Sequence, residues 1–258
     1  MKRKQTNCIV AILICLTILF TVSCDMFTNS LLKGAARDMS EMMKNASTSE
    51  LLAAGADPDV IGDPAAAQAA MEALAEKDLS NISAEEASNV CSLASSAILP
   101  VSTLMDAIGQ MTEDKDESEN SEESTNVISS VLGSVPTDVN TGAIEQVLNN
   151  EKLVNETEIG DVTMATVSLM ASSLAKKGCT EEQRNQALTD ISKNLKEKTT
   201  VEDVLAGTGF EEDTAMKTAV KAALIIKTRD DISSLSIGGF NLGEVIGVKE
   251  EKNENSSN

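Results

Sequence analysis

Few side chains in this chain can do chemistry, and the cysteines come first. Cys8, Cys15, Cys24, Cys91 and Cys179 are the five thiols of a 258-residue sequence. A thiol becomes a good nucleophile when a histidine or another cation lowers its pKa. The chain has no His, and no Trp or Tyr either. That removes Ser-His-Asp and Cys-His catalysis and imidazole metal ligation. It also removes the usual aromatic platforms on which sugars and bases stack. Cys91 and Cys179 either pair as a disulfide in an oxidising compartment or stay separate, buried as small apolar groups. No GxSxG, P-loop, HExxH, CxxC or GxGxxG pattern occurs.

Carboxylates are the other reactive class. Glu85/Glu86, Glu181/Glu182, Glu211/Glu212 and Asp230/Asp231 are adjacent pairs. The first three fall where first helical turns are expected, and there acids complement the helix dipole. Asp114, Asp116 and Ser118 alternate like calcium ligands. The sixth and twelfth loop positions, which call for Gly and Glu, are instead Glu119 and Thr125. Thr112 to Asn126 therefore reads as a solvated acidic loop, with no metal or cofactor site. Asn45-Ala-Ser47, Asn81-Ile-Ser83 and Asn155-Glu-Thr157 match a glycosylation acceptor pattern, and read as turn and cap residues.

Cys24 differs from the other thiols in what precedes it. Lys2, Arg3 and Lys4 open the chain, an uncharged apolar run spans Cys8 to Val22, and Ser23, Cys24 and Asp25 follow. A basic end, a short apolar core and a small residue at a cut site make a secretory signal peptide. The core is shorter than the roughly 18 residues that a spanning helix takes. Asn7 and Ile14, which precede Cys8 and Cys15, do not suit cleavage, so Cys24 alone fits. With that cysteine directly after Ser23, the segment resembles the signal peptide of a bacterial lipoprotein. The resemblance covers residues 1–25 and implies cleavage between Ser23 and Cys24, followed by acylation of Cys24. It further implies a membrane-attached protein of the cell envelope, outside the cytoplasm, with the choice of membrane left open.

Removing residues 1–23 takes away three basic and no acidic residues, so the net charge of −20 becomes −23. A body this acidic is repelled by nucleic acid and by anionic headgroups, so membrane attachment must come from acyl chains. Each buried CH₂ contributes about 0.8 kcal/mol, and several chains are needed for a lasting hold.

The elements that carry these residues read as helices throughout. Residues 24–30 form a short tether. Leu31, Leu32, Ala35, Met39, Met42 and Met43 recur at helical spacing over 30–46. Ser49 to Ala54 reads as a short helical turn. Asp63-Pro64 opens a helix to about Lys77, and Ser83 with Glu86 forms a capping box ahead of a nearly apolar helix over 84–99. Pro100 interrupts it, and Val101, Leu104, Met105 and Ile108 continue the stripe. After the acidic loop, helices are expected at 126–133, 142–150 and from a cap at Asp161 to Gly178. Others follow from Thr180 to Lys198, from Thr200 to Ala206, and from Glu211 to about Ile232. Ser234 to Val248 is glycine-rich and apolar and fits either a hairpin or a short helix. Residues 249–258 read as a disordered tail.

The fold expected is an all-α, multi-helix bundle of about eight to ten helices with one acidic loop. Its helical domain spans 31–248, with 31–111 and 127–248 as two lobes sharing one core. NVCSLASSAI (89–98) echoes TVSLMASSLA (166–175), and STSELLAA (47–54) echoes TVEDVLAG (200–207), which would fit a duplication. The function expected is structural or protein-interacting, with an envelope protein as partner and no enzymatic activity. Ile237, Phe240, Leu242, Val245 and Ile246 are the candidate contact surface, because contiguous apolar patches mark interaction sites. The alternative is a helical carrier whose methionines line a pliable pocket for an apolar or lipid-like ligand.

Overall fold

The computed structural model describes residues 39–99, 135–234, 236–237 and 240–241. Ser23, Cys24, the tether, the start of the first helix and the stripe after Pro100 lie outside the described residues. So do the acidic loop, the helix expected at 126–133, Leu242, Val245, Ile246 and the tail.

Eleven α-helices run through the described residues, and the fold is all-α. They are α1 (Met39–Lys44), α2 (Thr48–Ala54), α3 (Pro58–Ile61), α4 (Pro64–Ala75), α5 (Ala84–Ile98) and α6 (Gly142–Asn149). Then come α7 (Glu151–Glu156), α8 (Ile159–Lys176), α9 (Glu181–Glu197), α10 (Val201–Leu205) and α11 (Thr214–Ile226). A 3-10 helix, Asp230–Ser234, leads to strands β1 (Ser236–Ile237) and β2 (Phe240–Asn241). The strands are antiparallel, with Ser236 opposite Asn241 and Ile237 opposite Phe240, so the hairpin alternative holds for that stretch.

Local chemistry explains most helix starts. Ser47, Ser83 and Thr180 each accept a backbone N–H three residues on, from Glu50, Glu86 and Gln183, whose side chains return the bond. Each such cap contributes about 1 kcal/mol. Asp57-Pro58 and Asp63-Pro64 repeat one device, an aspartate cap with proline in the first turn. At the other end of α8, Gly178 takes φ +64°, which reverses the chain with no β-carbon penalty.

Three expectations change. Asp161 does not cap α8, which begins at Ile159 after Glu158 with no side-chain cap bond. The last long helix starts at Thr214, capped by Asp213, and ends at Ile226. Glu211 and Glu212 therefore precede it instead of lying in its first turn. The helix expected over 142–150 stops at Asn149, because Asn150 turns extended (φ −86°, ψ 100°) and caps α7 through the Leu153 N–H.

Helices α5 and α8 form the central pair, with α4 laid on α5, α11 on α8, and α6 touching all four. Leu51, Met71, Leu93 and Ile98 share one core with Ile144, Leu148, Leu169, Leu174 and Val220, so both sides of the acidic segment contribute. The echoing stretches 89–98 and 166–175 fall on this central pair, but matched positions do not match in environment. Val90 and Leu93 are fully buried, whereas Val167 and Met170 are only half-buried. The methionines divide similarly. Met43, Met71 and Met216 are in the core, and Met42 is 40% exposed.

Candidate functional site

An array of charged and polar groups gathers at the C-terminal end of α8. Lys176, in the last turn, donates through Nζ to the Val139 carbonyl at 2.8 Å and to Thr141 Oγ1 at 3.4 Å. The Thr141 hydroxyl donates in turn to Glu145 Oε1 at 2.6 Å. Ser173, one turn back along α8, donates to Asp213 Oδ1 at 2.7 Å, and the same oxygen accepts the Met216 N–H at 2.8 Å. Burial pulls the Lys176 amine below its ordinary pKa, and the charges of Glu145 and Asp213 partly offset it.

Lys177 extends the array on the outer side. Its Nζ stands 4.3 Å from the centre of the Phe210 ring, a cation–π contact over a buried aromatic. Next to that ring, Glu211 accepts the N–H groups of Gly207 at 2.8 Å and Gly209 at 3.4 Å. These glycines have φ +77° and +80°, so their amides converge on one carboxylate. Its own backbone N–H above all, with those of Gly209 and Gly207, holds the Glu211 carboxyl below its usual pKa. Chemically this array is a brace. The Lys176 amine and the Asp213 carboxylate are occupied in fixing α8 to the starts of α6 and α11.

A second polar joint lies at the other end of the central pair. The Ser88 hydroxyl on α5 donates to the Asp161 carboxylate on α8. Cys91, one turn further along α5, is fully buried, and burial, reinforced by the Asp161 charge, pushes its thiol pKa far up. A seam of small hydroxyls continues along α8. Thr163, Ser168 and Ser172 are buried without a hydrogen-bond partner among the described residues. Ser95 and Thr166 donate to the carbonyls of Cys91 and Val162 in their own helices.

Cys91 and Cys179 do not form the candidate disulfide. Both are free thiols, Cys91 buried and Cys179 half-buried. Cys91 sits beside Asp161 in the first turn of α8, whereas Cys179 follows that helix's last turn. Eighteen residues of helix span about 27 Å, while a disulfide needs α-carbons within about 7 Å. Of the candidate contact residues, Ile237 and Phe240 face each other in the β1–β2 register.

The residues that sequence reasoning missed are basic ones that reach across to the ends of other helices. Lys221 donates to the Asn149 carbonyl at 2.9 Å, and Lys227 to that of Leu195 at 2.7 Å. Arg229 donates to the carbonyls of Val154 at 2.7 Å and Thr157 at 2.8 Å. Each cation meets the negative end of a helix dipole. No local signal marks these residues, because their partners lie 32 to 75 residues away in sequence.

Among the described residues no cluster of His, Cys, Asp and Glu is arranged to hold a metal ion. An open groove along α9 is lined by Glu181, Glu182, Asn185, Gln186 and Thr189. No helix among the described residues is long and apolar enough to cross a membrane. No protein-family model matches the chain, and no curated protein and no solved structure matches it either.

Proposed function

We propose that the protein is a lipid-anchored component of a bacterial cell envelope, with a structural or protein-interaction role. The observation that carries this reading is the order of residues 2–25: three basic residues, an uncharged apolar run and Ser23-Cys24. Acyl chains on Cys24 hold it at the membrane, because its acidic body is repelled by anionic headgroups. The arrangement of charges supports an interaction role. Lys176, Lys221, Lys227 and Arg229 are drawn onto backbone carbonyls. Many carboxylates, Glu181 and Glu182 among them, are left facing solvent. The apolar segment from Ile237 to Ile246 supplies the contact surface in this reading.

The test is to express the full chain and its Cys24→Ala variant in bacteria fed an alkyne analogue of palmitate. Label and membrane attachment should follow the wild type and be lost in the variant. Acylated, membrane-bound Cys24→Ala protein sinks the proposal. Cross-linking in intact cells then tests the interaction role, and a lipid-like molecule co-purifying with the protein would instead favour the carrier.

A further inference from the structure

Helices α5 and α8 meet through small polar side chains. Ser88 on α5 donates to Asp161 on α8, and both lie near the starts of their helices. Helices that join there and pack along their lengths run the same way. On α5, Cys91 and Ser95 follow Ser88 along one face. On α8, Ser168 and Ser172 come seven and eleven residues after Asp161, close to two and three whole turns, and so share its face. Ser95 is thereby set level with Ser168. Both α8 serines are 0% exposed, and neither hydroxyl has a hydrogen-bond partner among the described residues. Other hydroxyls of these helices are satisfied locally. Ser95 and Thr166 donate to the carbonyl four residues back in their own helix, at 2.9 and 2.7 Å. Ser168 and Ser172 do not take that usual acceptor.

We propose that the α5–α8 seam binds ordered water, with the Ser168 and Ser172 hydroxyls as its ligands and Ser95 Oγ as a further one. A fully buried hydroxyl left dry and unpaired weakens folding about five- to a hundredfold. Two such groups on one helix compound that loss. Apolar interiors stay dry, whereas a buried water is stable where two to four polar groups converge on it. Each serine hydroxyl can donate once and accept twice, and Ser95 keeps its acceptor positions after donating to the Cys91 carbonyl. The side chains that separate these groups along the two faces, Cys91 and Ala165, are small and buried. Water here puts a polar strip between the central helices, where a carrier of an apolar ligand needs a dry pocket. The inference therefore weighs against the carrier, and it rests neither on the lipid anchor nor on the contact surface.

The test is oxygen-17 relaxation dispersion of water on the full chain, which counts the water molecules a protein holds for longer than it takes to tumble. Wild type is compared with Ser168→Ala, Ser172→Ala and the double variant, with urea denaturation alongside. The double variant should hold about one or two fewer long-lived waters than wild type, as many as these hydroxyls can ligate. Its unfolding constant should rise about two- to twelvefold, the factor for the net loss of one ordinary hydrogen bond. Equal water counts in wild type and double variant overturn the proposal. A double variant more stable than wild type overturns it too, because deleting a dry, unpaired hydroxyl relieves the fold and deleting a hydrated one does not. If the double variant does not fold, the single variants decide by the same two readings.

Discussion

A β-carbon on Gly55 would overlap the backbone carbonyl of Asn89. That contact is where the end of α2 meets the middle of α5. Gly55 has ordinary helical torsions, φ −68° and ψ −13°, so glycine is required there by proximity and not by backbone conformation. Gly55→Ala should therefore cost about 1–3 kcal/mol, as overpacking does, because backbone cannot swing aside like a flexible side chain. Gly207→Ala is the contrast: it has φ +77° with nothing within 4 Å of a β-carbon, so only torsional strain is added, about 1–2 kcal/mol. Urea denaturation of both variants, with hydrogen exchange in α2 and α5, checks this. An unperturbed α2–α5 contact in Gly55→Ala would show the packing to be looser than described.

The Ser88–Asp161 bond crosses the central helix pair and is half-buried. A double-mutant cycle of Ser88→Ala and Asp161→Ala should show coupling of about 1.5–3 kcal/mol, the range of hydrogen bonds to charged groups. Effects that add within about 0.3–0.5 kcal/mol would mean the two side chains do not interact.

The two thiols should separate cleanly in reactivity. In the folded protein a maleimide should label half-buried Cys179 readily. Cys91 should react more than about a hundredfold more slowly, because it is reached only when the structure opens. Burial, with Asp161 adding to it, also keeps Cys91 a neutral thiol. Denaturant should equalise the two. Comparable labelling in the native state would contradict the placement of Cys91 in the core.

Lys176 gives a pH dependence whose sign is fixed by burial. Its folded pKa lies below the ordinary value of 10.5. Through the alkaline range the unfolded chain thus binds more proton at this site than the folded one. This site's contribution to stability rises as pH climbs from the lowered folded pKa towards that ordinary value. The stability of wild type relative to Lys176→Met should accordingly increase over that range, after which it levels off. A difference that stays flat or falls with pH would show that the amine is not desolvated in the fold.

The sequence alone was enough for the helix starts at Ser83 and Thr180, for the exit at Gly178 and for the all-α class. Caps and periodicity are local, and a hydroxyl finds its N–H donor three residues on whatever the rest of the chain does. The acylation reading of Cys24 rests on sequence alone too, on residues 2–25. Tertiary structure decided what lies between distant segments. Asp161 could have capped its own helix, but α5 brings Ser88 to it. Cys91 and Cys179 looked free to pair until α8 set them at opposite ends. Nothing local marks Gly55 as the point where Asn89 comes against it, or Arg229 as the partner of two α7 carbonyls. In each case a local preference of about 1 kcal/mol competed with packing that buries whole helix faces, and the choice belonged to the elements that packing brought together.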